Sequence, residues 1–270
     1  MKHFGVSNLA ILCSARNVGK YINRIYNVLN LSTRNFKSVT FFVVESYSND
    51  DTIKKLQSIS QTNSKFNFQT LKKTDAVLPP LPVRIAEARN FAADMARESR
   101  NSFDFVMVAD LDNVNRDITS NRVESCWQYK DWNMMSANQP FAYYDTWALR
   151  HPILSPGDCW RDFDNLLEYF DKKEAFRLAV QNRVVQIPTH SKPIPVISAF
   201  GGLAIYDSES YFPFRYSGMN ANGVEICEHV SLHREMLDAN KRLFINPFMV
   251  NLNPFRQRFF QYVSKVRQIL

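Results

Sequence analysis

The sequence of 270 residues contains little glycine and little cysteine, and it has no long hydrophobic run. Seven glycines exclude a collagen-like chain. The four cysteines stand far apart without Cys-x-x-Cys spacing, which argues against a zinc site or a disulfide framework and favours a reducing compartment. No apolar stretch approaches the roughly 20 residues that a membrane-spanning helix needs. Residues 1–15 fit a first core strand better than a secretion signal, so we expect a cytoplasmic globular protein.

The chain carries an excess of positive charge, with 33 lysines and arginines against 26 acidic residues and a formal net charge of +7. Such an excess favours an anionic partner, which could be a phosphate-bearing ligand, an acidic lipid surface or a nucleic acid. No basic run is interleaved with aromatic residues before the C-terminus, so we expect no nucleic-acid partner. The charge by itself does not choose between the other two.

Strand-like and helix-like patterns alternate along the first half of the chain, and the second half is less regular. Such alternation implies parallel strands joined by right-handed crossovers. We therefore predict an α/β domain. The predicted strands are at 7–14, 39–44, 66–71, 103–109, within 132–149, within 194–206 and at 243–250, and the predicted helices are at 18–31, 53–59, 83–99, within 160–185 and at 228–239.

The most informative motif is an apolar strand that runs directly into Asp110 and Asp112. Successive strand side chains point to opposite faces, so the two aspartates share a face if the extended geometry continues. Two converging carboxylates are costly unless a positive charge lies between them. Mg²⁺ or Mn²⁺ suits such oxygen ligands and usually carries phosphate oxygens on its open side. A solvated turn after the strand is the alternative interpretation.

Other polar residues follow the first two predicted strands. Arg16 and Asn17 come after the first strand, and Glu45 ends the second. In open sheets with parallel strands, ligands bind beyond the carboxyl ends of the strands. A helix N-terminus after the first strand would also favour an anion. These residues and the aspartates are therefore expected to converge on one ligand site, although Glu45 could equally cap the next helix.

Six segments of the sequence follow one another in the order Ser14 to Asn17, Val44 to Thr52, Arg84 to Asn90, Asp110 to Asp112, Gly201-Gly202 and Cys227 to Arg234. Taken in this order, they resemble the nucleotide-sugar half of GT-A glycosyltransferases. The similarity covers roughly residues 10 to 250. Arg84 to Asn90 also resembles capsule-type mannosyltransferases more weakly, and so does a further segment, Tyr144 to Trp147.

The resemblance implies a single GT-A-like (Rossmann-like) domain with a mixed, mostly parallel sheet flanked by helices. It implies a nucleotide-binding half at 1–115 and an acceptor-side half at 116–250. The implied activity is transfer of a hexosyl or pentosyl group from a nucleotide diphosphate sugar to a hydroxyl of a glycan or glycolipid, with Mn²⁺ or Mg²⁺ as cofactor. A sugar nucleotidyltransferase would usually show a glycine-rich loop where Ser14 to Gly19 holds one glycine. A non-catalytic nucleotide- or anion-binding module with the same fold also stays open.

The resemblance further implies which residues carry the chemistry. Glu228 would be the general base that deprotonates the acceptor hydroxyl, with Asp145 as the second choice. The usual second acid of the Glu228 segment is replaced by His229. This histidine would then join Asp110 and Asp112 as a ligand of the metal, since imidazole suits Mn²⁺.

Donor and acceptor contacts are implied as well. Tyr144 and Trp147 would contact the acceptor sugar, although Trp147 could equally pack in the core. Arg84 and Arg89 are five residues apart, so they do not share a helix face as i, i+4 partners would. We assign Arg89, together with Asn90, to the donor. The complete predicted donor set is Ser14, Arg16, Asn17, Glu45, Arg89, Asn90, Asp110, Gly201 and Gly202.

The C-terminal stretch places apolar side chains along one side of a predicted helix and basic residues elsewhere. We assign residues 251–270 to a basic amphipathic helix. Such a helix could lie on an anionic membrane, which would make the protein peripheral at that surface. Docking against the chain's own core is the more common arrangement, and we prefer it.

Overall fold

Three apolar strands lie side by side in the sheet, and their side chains are buried on both faces. The computed structural model of the chain describes residues 2–71 and 78–252. Within it, β1 (Asn8–Ala15), β2 (Ser38–Ser46) and β4 (Phe105–Ala109) consist largely of buried residues. Near-continuous apolar strands of this kind are typical of parallel sheets that helices cover on both sides.

The other elements follow the predicted alternation closely in the first half of the chain. The remaining strands in the described residues are β3 (Phe66–Leu71), β5 (Met134–Asn138), β6 (Ile194–Pro195), β7 (Leu203–Asp207) and β8 (Leu243–Val250). The helices there are α1 (Ile22–Ser32), α2 (Thr52–Thr62), α3 (Leu81–Glu98), α4 (Ser120–Glu124), α5 (Cys159–Leu166), α6 (Lys172–Ala179), α7 (Ser208–Tyr211) and α8 (Glu228–Asp238).

The sheet has eight strands in the order β3-β2-β1-β4-β7-β5-β8-β6. Strand β7 runs antiparallel to both of its neighbours, β4 and β5, and β6 runs antiparallel to β8. The other pairs are parallel. The prediction of a mixed, mostly parallel sheet is therefore confirmed, and the carboxyl ends of β1, β2 and β4 lie at one edge.

Helices cover both faces of the sheet. On one face, buried alanines of α3 and apolar residues of α8 pack on the even-numbered side chains of β1, β2 and β4, such as Leu12 and Val108. On the other face, α1 and α2 pack on odd-numbered side chains such as Ile11 and Met107. Burying one such aliphatic side chain contributes about 1.5–3 kcal/mol. The four cysteines are free and buried, as small hydrophobic residues would be.

The second half departs from the prediction at two places. The strand expected across 194–206 is split, because Gly201 and Gly202 have φ angles of 66° and 85°, which extended backbone does not allow. The two parts become β6 at the sheet edge and β7 in its interior. Within 132–149 only β5 forms, and the chain leaves the sheet at Pro140, which has no N–H to donate to a neighbouring strand.

No helix within residues 2–71 and 78–252 has the length and apolar character to cross a membrane. The predicted amphipathic helix at 251–270 lies outside the described residues except for Asn251 and Leu252, which are both buried. That helix, the peripheral membrane contact and the division of the chain into two halves stay predictions.

Candidate active site

The polar residues predicted at the carboxyl ends of β1 and β4 lie on the face of the sheet that α3 covers. Asp110 continues the even-numbered face of β4, and Arg16 continues that of β1. Helix α3 runs back against the strand direction, so its N-terminal half reaches the same edge. Its buried side is made mainly of alanines, which allow a close approach to the sheet. The long side chains of Arg84 and Arg89 therefore reach the strand ends.

The Asp110 and Asp112 carboxylates lie close enough to influence each other. Asp112 Oδ1 accepts a hydrogen bond from the Val114 N–H at 3.0 Å, which fixes the short turn after β4. Desolvation and then the charge of Asp110 raise the pKa of Asp112 to about 7. Because the Asp112 side chain is exposed, we consider the charge of Asp110 the more important of the two causes. Desolvation also raises the pKa of Asp110, and Arg89 partly offsets it. A cation at this edge would relieve the repulsion.

Arg89 joins the end of β4 to the start of α8. Its Nη2 donates to Asp110 Oδ1 and its Nε donates to Glu228 Oε1, both at 3.1 Å. The side chain is 5% exposed, and its guanidinium lies over the Phe200 ring. Desolvation alone would lower the pKa of Arg89, but the charges of Asp110 and Glu228 raise it. Only Nη1 lacks an acceptor among the described residues, so direct donor binding by Arg89 stays a prediction.

His229 lies in the core behind Arg89. Its ring stacks on Phe200 with centroids 3.8 Å apart, and Nε2 is 3.5 Å from Glu228 Oε1. Neither ring nitrogen has a hydrogen-bond partner in the described part of the chain. Desolvation, followed by the charge of Arg89, holds the pKa of His229 well below its usual value, so the ring is neutral. His233, one turn later, is a core residue with a hydrogen bond on each ring nitrogen.

The three residues predicted as metal ligands, Asp110, Asp112 and His229, do not form a metal-binding group. Among residues 2–71 and 78–252, no three His, Cys, Asp or Glu side chains converge in the way a metal ion requires. The reason is that His229 stacks in the core beside the Arg89–Glu228 pair. The aspartates alone fit Mg²⁺ or Mn²⁺, which commonly takes one or two carboxylates and completes its shell with water and substrate phosphates.

Asp145 and Tyr144 face the same space as the aspartate pair. Desolvation raises the pKa of Tyr144 well above its usual value, and the charges of Asp112, Asp145 and Asp110 add to it. Asp145 Oδ2 accepts a hydrogen bond from the Gly201 N–H at 2.9 Å. Desolvation raises the pKa of Asp145 to about 6, with smaller contributions from other carboxylates. A carboxylate with this pKa can exchange a proton near neutral pH.

The Gly201-Gly202 turn is held by buried amides that the sequence analysis did not single out. Asn115 Nδ2 donates to the carbonyl oxygens of Asp110 and Gly202, both at 2.8 Å. Two further amides, Gln139 and Asn251, donate to the Gly201 carbonyl oxygen and bond to each other. Gly202 O also accepts from the Asp110 N–H at 3.0 Å. The turn therefore fixes the end of β4 where the aspartates begin.

The loops after β1 and β2 are joined by hydrogen bonds. The Asn17 N–H donates to Ser48 Oγ at 3.0 Å, and Asn17 Oδ1 accepts from the Asn49 N–H at 2.9 Å. Glu45 is fully buried, and its Oε1 accepts from the Ser48 N–H at 2.6 Å. Its Oε2 has no partner among the described residues. Asn17 therefore builds the loop, and the predicted donor role of Glu45 depends on that second oxygen.

Arg84 faces Arg16 at this edge, although the sequence favours Arg89 for binding the donor. Desolvation and then the positive charge of Arg16 lower the pKa of Arg84. The Nε atoms of both arginines and Nη1 of Arg84 have no acceptor, and neither arginine pairs with an acid, among the described residues. Tyr47 lies near Arg84 with a φ of 60°, a conformation that bulky residues seldom adopt outside functional sites.

The other predicted contacts are placed as follows. Ser14 is half-buried near the end of β1. Asn90 uses its whole side-chain amide on the backbone of Tyr216, with two hydrogen bonds of 2.9 Å. Trp147 is half-buried between the main core and the small cluster of α5 and α6. Asn90 and Trp147 therefore have clear packing roles, and their ligand contacts stay predictions.

A scan against protein-family models and a search of curated proteins each found no match. Solved structures do match. The mannosyltransferase PcManGT from Pyrobaculum calidifontis, in complex with GDP-Man and Mn2+, has a TM-score of 0.50 and 12% identity, over 97% of this chain and 65% of its own length. The fold is GT-A-like. The chain spans less than two thirds of that protein.

Two further structures with the GT-A-like fold match less closely. S. aureus TarS 1-349 in complex with UDP-GlcNAc has a TM-score of 0.43 and 14% identity, over 88% of this chain and 55% of its own. Glucosyl-3-phosphoglycerate synthase from Mycobacterium tuberculosis in complex with UDP has a TM-score of 0.41 and 13% identity, over 87% of this chain and 65% of its own. The predicted fold is confirmed, and the reaction has to be argued from the residues of this chain.

Proposed function

We propose that this chain is a metal-dependent glycosyltransferase that moves a sugar from a nucleotide diphosphate donor to a hydroxyl of a glycan or glycolipid. The observation that carries the proposal is a separation of charge along one edge of the sheet. Arg16, Tyr47 and Arg84 form an arginine side, and Asp110, Asp112 and Asp145 form a carboxylate side. A nucleotide diphosphate with its cation carries the complementary charges.

The carboxylate side would hold Mg²⁺ or Mn²⁺ through Asp110 and Asp112. When bound, such a metal stabilises the negative charge of the departing diphosphate. Asp112 keeps its Oδ1 on the Val114 N–H, which holds the carboxylate in one orientation. The Gly201-Gly202 turn holds the backbone of Asp110. These contacts support a preorganised carboxylate pair.

The arginine side would bind the nucleotide. Unmet guanidinium N–H groups donate to phosphate or to keto oxygens of a base, and Tyr47 offers an aromatic ring beside them. Ser14 and the orphan Oε2 of Glu45 are further candidates for hydrogen bonds to the nucleoside.

Asp145 is our choice for the general base that deprotonates the acceptor hydroxyl. Its pKa of about 6 leaves it ionised at neutral pH yet able to accept a proton, which is the condition for efficient base catalysis. Glu228, the first choice from the sequence, is 4% exposed and paired with Arg89. Tyr144 lies beside Asp145 and would contact the acceptor sugar.

Thermal unfolding of the full chain with nucleoside diphosphates and their sugars, each with Mn²⁺ and with EDTA, tests this function. A midpoint that rises with one nucleotide and falls back in EDTA supports a metal-bridged donor site and identifies the base. Metal-dependent release of free sugar from that donor then separates an enzyme from a binding module. Incorporation of a sugar phosphate into the nucleotide would indicate a nucleotidyltransferase. The absence of any shift would contradict the proposal.

A further inference from the structure

Three elements of the fold meet at one buried guanidinium. Arg89 of α3 is bonded to Asp110 at the end of β4 and to Glu228 at the start of α8, both at 3.1 Å. The guanidinium carbon lies 4.8 Å from the Phe200 ring centroid and 5.9 Å from that of Tyr216. Two edges of the guanidinium are therefore engaged, and two aromatic rings adjoin it.

The surroundings of Arg89 are also held in place. The neighbouring Asn90 fixes the backbone of Tyr216 through two hydrogen bonds of 2.9 Å. Phe200 is in turn stacked on His229. The head group of Arg89 consequently has little freedom to turn, and the carboxylates bonded to it share that restriction.

The cluster holds more acidic side chains than basic ones. One guanidinium faces two acidic side chains, Asp110 and Glu228. Glu228 is buried, whereas the side chain of Asp110 is 30% exposed at the edge of the sheet. Asp110 Oδ1 accepts from Arg89, and Oδ2 accepts no hydrogen bond from the described residues. The Asp110 oxygen that Arg89 does not hold therefore belongs to the more exposed side chain of the pair, where the cation is proposed to bind.

We propose that Arg89 is a positioning residue for the cation site, an inference that rests on the proposed function. By holding Asp110 Oδ1 it directs Oδ2 to the cation, and by holding Glu228 it fixes the start of α8 in the same arrangement. The competing interpretation is that the ion pair only supports the fold. In that case neutral residues could replace the pair without an effect on the cation site, since buried pairs can often be replaced without loss of stability.

Two variants separate these interpretations because neither leaves an unpaired buried charge on α8. Glu228→Gln keeps the Arg89–Asp110 contact, and Arg89→Met/Glu228→Gln removes it. Titration calorimetry of the full chain with Mn²⁺, alone and with GDP or UDP, measures cation binding, and thermal unfolding checks the fold. Arg97→Met is the matched control, because Arg97 lies two turns further along α3 and pairs with Asp94.

We expect Glu228→Gln to bind Mn²⁺ within about twofold of the natural chain. The double variant should bind Mn²⁺ at least about 10-fold more weakly than Glu228→Gln, because loss of a residue that orients a metal ligand lowers metal affinity by such a factor. Relative to Glu228→Gln, which shares the loss of the Glu228 charge, electrostatics alone predicts the opposite sign, since removal of the positive charge of Arg89 would tighten cation binding. Unchanged or tighter binding in a folded double variant would overturn the proposal.

Arg89→Lys gives a second test if the double variant does not fold. Lysine keeps the charge but presents a single ammonium group in place of a fork, so it should preserve the fold and still weaken Mn²⁺ binding about 10-fold. Full Mn²⁺ affinity in Arg89→Lys would show that charge alone suffices and would overturn the positioning role. Absence of Mn²⁺ and nucleotide binding in the natural chain would instead contradict the proposed function.

Discussion

The arginine side and the carboxylate side of this sheet edge are built in opposite ways. On the carboxylate side, Asp110 and Asp145 have hydrogen bonds from Arg89 and from the Gly201 N–H. On the arginine side, Arg16 and Arg84 face each other with buried N–H groups that lack acceptors among the described residues. Within the described residues, one side is held by hydrogen bonds and the other has guanidinium N–H groups without acceptors.

This difference indicates which part of a ligand each side recognises. A preorganised carboxylate pair suits a cation, whose few ligands need fixed directions. Unmatched guanidinium groups suit an anion, since an acceptor from the ligand supplies the missing hydrogen bonds and relieves the repulsion of like charges. A ligand with both features is a diphosphate with its cation, and the two sides should respond differently when they are changed.

The largest effect is expected on the carboxylate side, from Asp112→Asn. The amide keeps the Oδ1 that accepts from the Val114 N–H but removes the charge that would hold the cation. We expect kcat/KM for the donor to fall by about 100-fold or more, with the unfolding midpoint nearly unchanged. Asp131→Asn, at an exposed aspartate paired with Arg242, is the control. Full metal-stimulated turnover in Asp112→Asn would exclude Asp112 as a metal ligand.

A change on the arginine side should act on binding and leave stability intact. Arg84→Met removes one of two like charges, so the free protein should unfold at the same or a slightly higher temperature. Loss of a charge-assisted hydrogen bond costs about 1.5–3 kcal/mol, so the dissociation constant for the nucleotide should rise about 10- to 100-fold. The rise should appear with Mn²⁺ and with EDTA. Arg34→Met, at an exposed arginine, is the control, and an unchanged constant in Arg84→Met would count against the arginine side.

The pH dependence should report on Asp145. The pKa of this acid is raised to about 6, so its base form is lost as the pH falls through that value. With saturating Mn²⁺, which would keep Asp112 ionised, kcat/KM should decline below about pH 6 as Asp145 takes up one proton. Asp145→Asn should remove most activity. If the residual activity of Asp145→Asn still declined near pH 6, the group that titrates there would not be Asp145.

Much of the fold could be predicted from the sequence, because the signals are local. Apolar runs such as β4 are buried on both faces, and the polar residues that follow parallel strands lie at one edge. The splitting of the strand across 194–206 was harder to foresee. It depends on the positive φ angles of Gly201 and Gly202, and a glycine in a strand pattern equally signals a bulge.

The site could be predicted only where backbone direction decides it. The choice between Arg84 and Arg89 depends on the rotation of α3, and its buried alanines form a broad face and not a narrow stripe. The resemblance pointed to a metal role for His229, but tertiary packing on Phe200 places this ring in the core. Gln139 and Asn251 come from distant segments, so no local pattern connects them to the Gly201-Gly202 turn.

The smallest effect on ligand binding is expected from the turn that supports the carboxylate side, and its effect on stability can be separated into two physical contributions. A Cβ on Gly202 would lie 2.5 Å from Val114 Cγ1, and its φ of 85° is also unfavourable for alanine. A Cβ on Gly223, whose φ is 71°, would meet no atom within 4 Å. Gly223→Ala therefore measures the backbone contribution alone, about 1 kcal/mol.

Gly202→Ala should lower the free energy of unfolding by that amount and by about 1–3 kcal/mol more for overpacking. The difference in unfolding free energy between the two variants measures the overpacking contribution. Because Gly202 O accepts from the Asp110 N–H, the displaced turn should also weaken Mn²⁺ binding while nucleotide binding in EDTA is kept. Equal destabilisation by the two substitutions would show that the turn yields without strain. In that case the carboxylate side would be less rigid than its hydrogen bonds indicate, and the contrast with the arginine side would rest on charge alone.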